Sequence, residues 1–169
     1  MKFLTVEFDK KYKRENFSCI HASLNNYLQF QATKESRAGL ARIYLLINDA
    51  DEVIGYYSLS SAELPKESVP EEMLKKLPQS YSGYPAILLG RLAMTKSESG
   101  KGLGGQLMVD AIHRCIIHSM SIGTSVIMVD PIDDDANRFY GKYMFKPLPD
   151  ANRMILRIDH NLRAHFNIR

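Results

Sequence analysis

The chain predicts an α/β fold with a mixed central sheet: antiparallel strands at the start, a parallel pair in the middle, and helices on both faces. Two observations predict it. Residues 41–47 and 53–59 are rich in β-branched and aromatic side chains. Only the turn Asn48-Asp49-Ala50-Asp51-Glu52 separates them, so they pair antiparallel. Residues 86–94 are a nearly continuous apolar run, followed by a glycine-rich turn, an amphipathic helix and a second apolar run at 125–129. That order is strand, helix, strand, and such strands run parallel and buried. A length of 169 residues suits one domain, and 1–169 is read as one.

The elements follow in order. Residues 4–8 form a short strand, and 23–32 a helix with Leu24, Tyr27, Leu28 and Gln31 on one face. Ser23 is placed to cap that helix, and the charged stretch 34–37 breaks it. Residues 63–85 are a long connection punctuated by Pro65, Pro70, Pro78 and Pro85. Within it, Pro70 opens a short helix whose acids precede its bases, as the helix dipole favours. A connection of this length is either functional or a surface insertion. The helix after the glycine turn carries Leu103, Leu107, Met108, Ala111, Ile112, Cys115, Ile116 and Met120 as one apolar stripe, and Gly123 ends it. Asp133-Asp134-Asp135 opens a further helix to about residue 142, and 154–158 is the last strand.

The composition excludes several classes. No run of about 18 apolar residues exists to span a membrane. Acids stand too early in the first residues for a signal peptide, which points to the cytoplasm. The net charge of +3 permits a phosphate-rich partner without demanding one. A cytosolic setting keeps Cys19 and Cys115 reduced. His113 and His118 flank Cys115, but four ligands at metal-site spacing are missing, so no metal is expected. One buried thiol and two exposed imidazoles is the plainer reading.

The segment Ser99-Gly100-Lys101-Gly102-Leu103-Gly104-Gly105 joins a buried strand to a helix. Glycines let the backbone approach a ligand, and the helix start offers unpaired N–H groups and a positive dipole end. The segment therefore suits a phosphate, with Lys101 adding charge. A P-loop fails for want of a closing Gly-Lys-Ser/Thr. Gly100, Gly102 and Gly105, with Asp130 after the next strand, do fit a dinucleotide fingerprint. The motif comes too late for a second βαβ half, however, and the strands before it are antiparallel.

The loop, the strand 88–94 and the later Ala136-Asn137-Arg138-Phe139-Tyr140-Gly141-Lys142-Tyr143-Met144-Phe145 resemble the GNAT superfamily of N-acetyltransferases. That family's loop reads Gln/Arg-x-x-Gly-x-Gly/Ala; here it reads Ser99-x-x-Gly102-x-Gly104. Met144 replaces the glycine of the family's later Gly-Phe. Phe17-Ser18-Cys19, Gly55-Tyr56-Tyr57-Ser58-Leu59-Ser60 and Leu89-Gly90-Arg91-Leu92-Ala93 narrow the resemblance to the GNAT-type toxins of bacterial toxin–antitoxin modules. That resemblance spans nearly the whole chain.

The resemblance implies an enzyme that moves an acetyl group from acetyl-CoA to the free α-amine of aminoacyl-tRNA and so blocks translation. It implies that Leu92, Ala93 and Met94 hold the pantetheine arm through their backbone. Ser99, Gly100, Lys101, Gly102, Leu103, Gly104 and Gly105 would hold the pyrophosphate. It further implies a ribbon-helix-helix antitoxin, DNA bound only through the antitoxin complex, and a homodimer.

The matching general acid is Tyr140. A phenol ionises near pH 10, so it stays protonated and can donate to a leaving thiolate. Simple aromatic packing is the alternative, and is expected of Phe139. The strand 86–94 carries no Glu or Asp to act as base. An α-amine titrates near 7.7–8.0 and needs less help than a lysine. Arg91 either faces a tRNA phosphate or pairs with a buried acid. Lys34, Arg37, Arg42, Lys75, Lys76, Lys96, Lys142 and Lys146 are either a tRNA-facing patch or solvated charges. Two other readings stay open: acetylation of a small amine or protein N-terminus, and a non-catalytic acyl-CoA-binding module.

Overall fold

The structure, a computed structural model, describes residues 3–149 and 151–168. Among the described residues seven strands form one sheet: β1 (Val6–Glu7), β2 (Arg42–Ile47), β3 (Val53–Pro65), β4 (Gly83–Met94), β5 (Val126–Val129), β6 (Lys146–Pro147) and β7 (Met154–Arg157). Their order is β1-β2-β3-β4-β5-β7-β6. The pairs β1–β2, β2–β3, β5–β7 and β6–β7 are antiparallel, and β4–β5 is parallel. Backbone bonds Lys66 to Ser82 and Thr95 to Ile54 close the two ends of β3–β4 in antiparallel fashion. The expected mixed sheet is therefore observed. The chain clusters into two compact units, one of residues up to Ser60 with Leu89–Arg114, the other of Ser61–Leu88 with the residues from Cys115 onward.

In the first unit the hairpin β2–β3 pairs Tyr44 with Tyr57 and Leu45 with Tyr56. Strand alternation sends these residues to opposite faces. Ile43, Leu45, Val53 and Tyr56 pack with Tyr27, Leu28 and Ala32 of the helical run 22–37. Tyr44 and Tyr57 meet Arg114 of α4 (Leu103–Ser121). Helices thus cover both faces of this part of the sheet. The turn is held by Asn48, whose Oδ1 accepts from the Ala50 and Glu52 amides at 3.0 and 2.9 Å.

The run 22–37 comprises α1 (Ala22–Asn26), a π-turn (Tyr27–Gln31) and α2 (Ala32–Arg37). Residues 34–37 continue the helix instead of breaking it, because lysine, glutamate and arginine are good helix formers on a solvent face. Gly39, at φ +70°, ends it. The wide π-turn moves the buried stripe from Gln31, which is exposed, to Ala32. The residue before α1 is His21, so Ser23 lies inside the helix and does not cap it.

In the second unit β3 and β4 extend beyond their expected ends, and the long connection shrinks to residues 66–82. It contains α3 (Glu71–Leu74), which follows Pro70 as its cap. The core of this unit is Leu64, Val69, Tyr84, Ala86, Val126, Met128, Leu148 and Ile155. Asp133 caps α5 (Asp134–Gly141), accepting from the Ala136 amide at 2.8 Å. Two elements were not expected, β6 and α6 (His160–His165). Along α4, Leu107, Met108, Ala111, Ile112, Cys115 and Ile116 are buried, but Met120 is exposed. His118 is exposed as expected, whereas His113 is buried and lies against the Phe3 ring.

Candidate active site

The glycine loop lies in the first unit. Gly100 and Gly102 have φ of +78° and +76°, a region that costs other residues about 1–2 kcal/mol. A Cβ at either position would meet nothing within 4 Å, so the loop is open on that side. The turn delivers the chain to the first residue of α4, Leu103. The Gly105 amide bonds back to the Gly102 carbonyl at 3.1 Å. The Leu103 and Gly104 amides stand in the first turn of α4, where backbone donors have no intrahelical acceptor. A pyrophosphate fits this donor set.

Two side chains modify the loop. Lys101 Nζ sits 3.1 Å from both Glu98 carboxylate oxygens, so its charge is already partnered. Both groups reach solvent, and an exposed pair of this kind is worth at most about 1 kcal/mol. Ser99 is exposed and offers a shorter donor than glutamine or arginine would.

β4 ends beside the loop in the same unit. Gly55 of β3 leaves the room that Met94 fills: a Cβ there would come 2.5 Å from Met94 Sδ and 3.3 Å from Leu107. Leu92, Ala93, Met94 and Ser99 share a cavity of about 250 Å³ with Cys19, His21 and Leu24. The segment before α1 is pinned there. The Ser18 carbonyl accepts from the Lys96 amide at 2.8 Å and the Thr95 hydroxyl at 3.2 Å. Asn25 clamps Cys19 on both sides, Oδ1 accepting from its amide and Nδ2 donating to its carbonyl. The sequence signal for this wall is the Phe17-Ser18-Cys19 motif; His21 and Leu24 carry no signal, since only the fold brings them to β4.

Arg91, on β4, lies 3.6 Å above the Tyr27 ring and 3.5 Å from Glu35 Oε2. Tyr27 donates to the same carboxylate oxygen at 2.8 Å. The basic residues Lys34, Arg37, Arg42, Lys75, Lys76, Lys96, Lys142 and Lys146 are all exposed. Among them Lys75 pairs with Glu71 one helical turn away.

Tyr140 lies in the second unit, on α5. Its ring packs against Phe139 and Phe145 at 5.8 and 5.6 Å between centroids. Tyr140 is 8% exposed, while Phe139 is half-buried, so the packing expected of Phe139 falls on Tyr140 as well. Burial, with the Asp130 charge adding to it, pushes the Tyr140 pKa up to about 12. The phenol therefore remains a neutral donor throughout the physiological range. Asp130 is itself held by Arg153 through two bonds of 2.6 and 2.8 Å. The chain turns sharply just after α5 through Met144, at φ +67°.

No protein-family profile matches the chain. The chain is 34% identical over 149 residues to a tRNA-acetylating toxin of Mycobacterium tuberculosis, covering 88% of this chain and 87% of the toxin. It superposes with a TM-score of 0.87 on AtaT complexed with acetyl-methionyl-tRNAfMet, at 25% identity and over 98% of this chain and 99% of that one. AtaTR bound with acetyl-CoA gives a TM-score of 0.83, also at 25% identity, over 98% and 97% of the two chains. With 34% identity to such a toxin over most of both chains, the chain belongs to the family of GNAT-type, tRNA-acetylating toxins.

Proposed function

We propose that this protein transfers an acetyl group from acetyl-CoA to the free α-amine of aminoacyl-tRNA and thereby stops translation. The observation that carries the reading is the left-handed turn at Gly100 and Gly102, which leads from β4 into α4 and sets Gly104 beside Met94. In this reading the loop from Ser99 to Gly105 holds the pyrophosphate. Leu92, Ala93 and Met94 hold the pantetheine arm through their backbone groups.

Acetyl-CoA supplies an activated thioester. The chain's own residues orient it and manage protons. Tyr140 donates its phenolic proton toward the sulfur as the thiolate leaves, which suits a group kept neutral by burial. Arg91 and the exposed lysines and arginines attract the tRNA backbone, for which Glu35 is the resting partner of Arg91.

The partners that fit this reading are aminoacyl-tRNA, a ribbon-helix-helix antitoxin that carries the complex to DNA, and a second copy in a homodimer. The setting is cytoplasmic; no helix among the described residues is long and apolar enough to cross a membrane. The test is a cell-free translation reaction given the purified protein. Synthesis stops only when acetyl-CoA is present, and it resumes when fresh aminoacyl-tRNA is added in excess. Inhibition without acetyl-CoA would contradict the reading.

A further inference from the structure

The proposed reaction leaves one proton without a destination. When the α-amine attacks the thioester carbon, the C–N bond forms and the C–S bond breaks. The sulfur takes the bonding pair and receives a proton from Tyr140. The nitrogen must then lose one. β4 offers no carboxylate to take it.

The cavity at the end of β4 does offer an acceptor. Four of its polar side chains are unsuited to the task. Burial raises the pKa of the Cys19 thiol, which keeps its proton, and its Sγ lies 3.3 Å from the His21 carbonyl as donor. The Thr95 hydroxyl is committed to the Ser18 carbonyl. Lys96 is a cation, and the Ser99 hydroxyl is no base near neutral pH. Among the described residues of the cavity His21 is the remaining polar side chain, and an imidazole nitrogen can accept a proton.

The backbone holds His21 in place. Its carbonyl accepts from the Leu24 and Asn25 amides at 3.1 and 3.3 Å, and also from the Cys19 thiol. The residue precedes α1, yet its side chain does not cap that helix. It is half-buried, between solvent and a cavity shared with Leu92, Ala93 and Met94. The charged or titratable groups that share this cavity with it are Cys19 on its own segment and Lys96 beyond β4.

We propose that His21 is the general base of the acetyl transfer, its imidazole accepting the proton that the α-amine nitrogen sheds after attack. The imidazolium returns that proton to water, and water reprotonates the Tyr140 phenolate, so the cycle closes with no net change in the enzyme. The assignment rests on the acetyl-transfer reading above.

The test compares wild type with His21→Ala and His21→Asn on one aminoacyl-tRNA. Loss of a general base lowers kcat/KM by about 10²-fold or more. Acetyl-CoA binding, followed by calorimetry, stays unchanged in both variants, and this also reports that they fold. Added imidazole restores activity to His21→Ala in proportion to its neutral fraction. Full activity in His21→Ala, or a loss that imidazole does not restore, overturns the assignment. A wild type that acetylates no aminoacyl-tRNA defeats the function reading instead. His21 is then tested in the same way on an amino-acid ester, whose α-amine sheds the same proton.

Discussion

Arg114 donates from Nε to the Tyr57 hydroxyl at 2.8 Å, inside a buried network that ties the N-terminal segment to α4. Its guanidinium lies between the Phe3 and Tyr44 rings at 3.7 and 3.9 Å. Asp110, one turn earlier, accepts from the Leu4 amide at 2.5 Å, the Thr5 hydroxyl at 2.7 Å and the Tyr57 hydroxyl at 2.7 Å. Removing one member leaves an uncompensated buried charge. Asp110→Ala is expected to destabilise the protein by about 3–5 kcal/mol, read from urea denaturation. A cost near zero would show that the network is dispensable.

Alkaline pH acts on the buried tyrosines of both faces of this part of the sheet. Burial raises the pKa values of Tyr56 and Tyr57, and burial with the Glu35 bond raises that of Tyr27. Unfolded tyrosines ionise near pH 10, while these stay neutral in the fold. Their contribution is complete below about pH 10 and is lost as pH rises above it, by about 1.4 kcal/mol per pH unit for each phenol. Denaturation midpoints measured on either side of that pH check the sign.

Glu98 pairs with Lys101 at 3.1 Å, beside the loop proposed to hold the pyrophosphate. Glu98→Gln frees the ammonium and removes a negative charge beside that loop. Acetyl-CoA is expected to bind about two- to fivefold more tightly in calorimetry, the scale of an exposed ion pair. Weaker binding would place the pyrophosphate elsewhere.

Met144 occupies a left-handed position, φ +67°, where the family carries glycine. Its side chain is largely exposed, so little packing opposes a change. Met144→Gly relieves about 1–2 kcal/mol of strain against a smaller loss of chain entropy. A net stabilisation of about 0.5–1 kcal/mol is expected from urea denaturation.

Much of this was legible in the sequence because single residues carried the signal. The apolar run ending at Met94 and the glycines after it marked β4 and the turn into α4. Asp133 marked the start of the helix that bears Tyr140. What escaped had no local pattern. β6 is two residues long and has no period to read. α6 has only six residues, although Asp159 caps it by accepting from the Leu162 amide at 3.0 Å. The Asp110–Arg114 network escaped because charges on a helix read as solvent-facing until tertiary structure buries them. His21 and Leu24 escaped because the wall they form exists only once Ser18 is bonded to Thr95 and Lys96.

The central claim is tested most directly by incubating the protein with radiolabelled acetyl-CoA and matched pools of charged and uncharged tRNA, with Tyr140→Phe alongside. The account expects label on the α-amine of the aminoacyl group, only with charged tRNA. Tyr140→Phe should cut kcat by about 10²–10⁴-fold while binding acetyl-CoA normally. The rate should rise with pH through the α-amine range of about 7.7–8.0. It should then show no descending limb from Tyr140, whose pKa stands at about 12. Label on uncharged tRNA, or full activity in Tyr140→Phe, would contradict it.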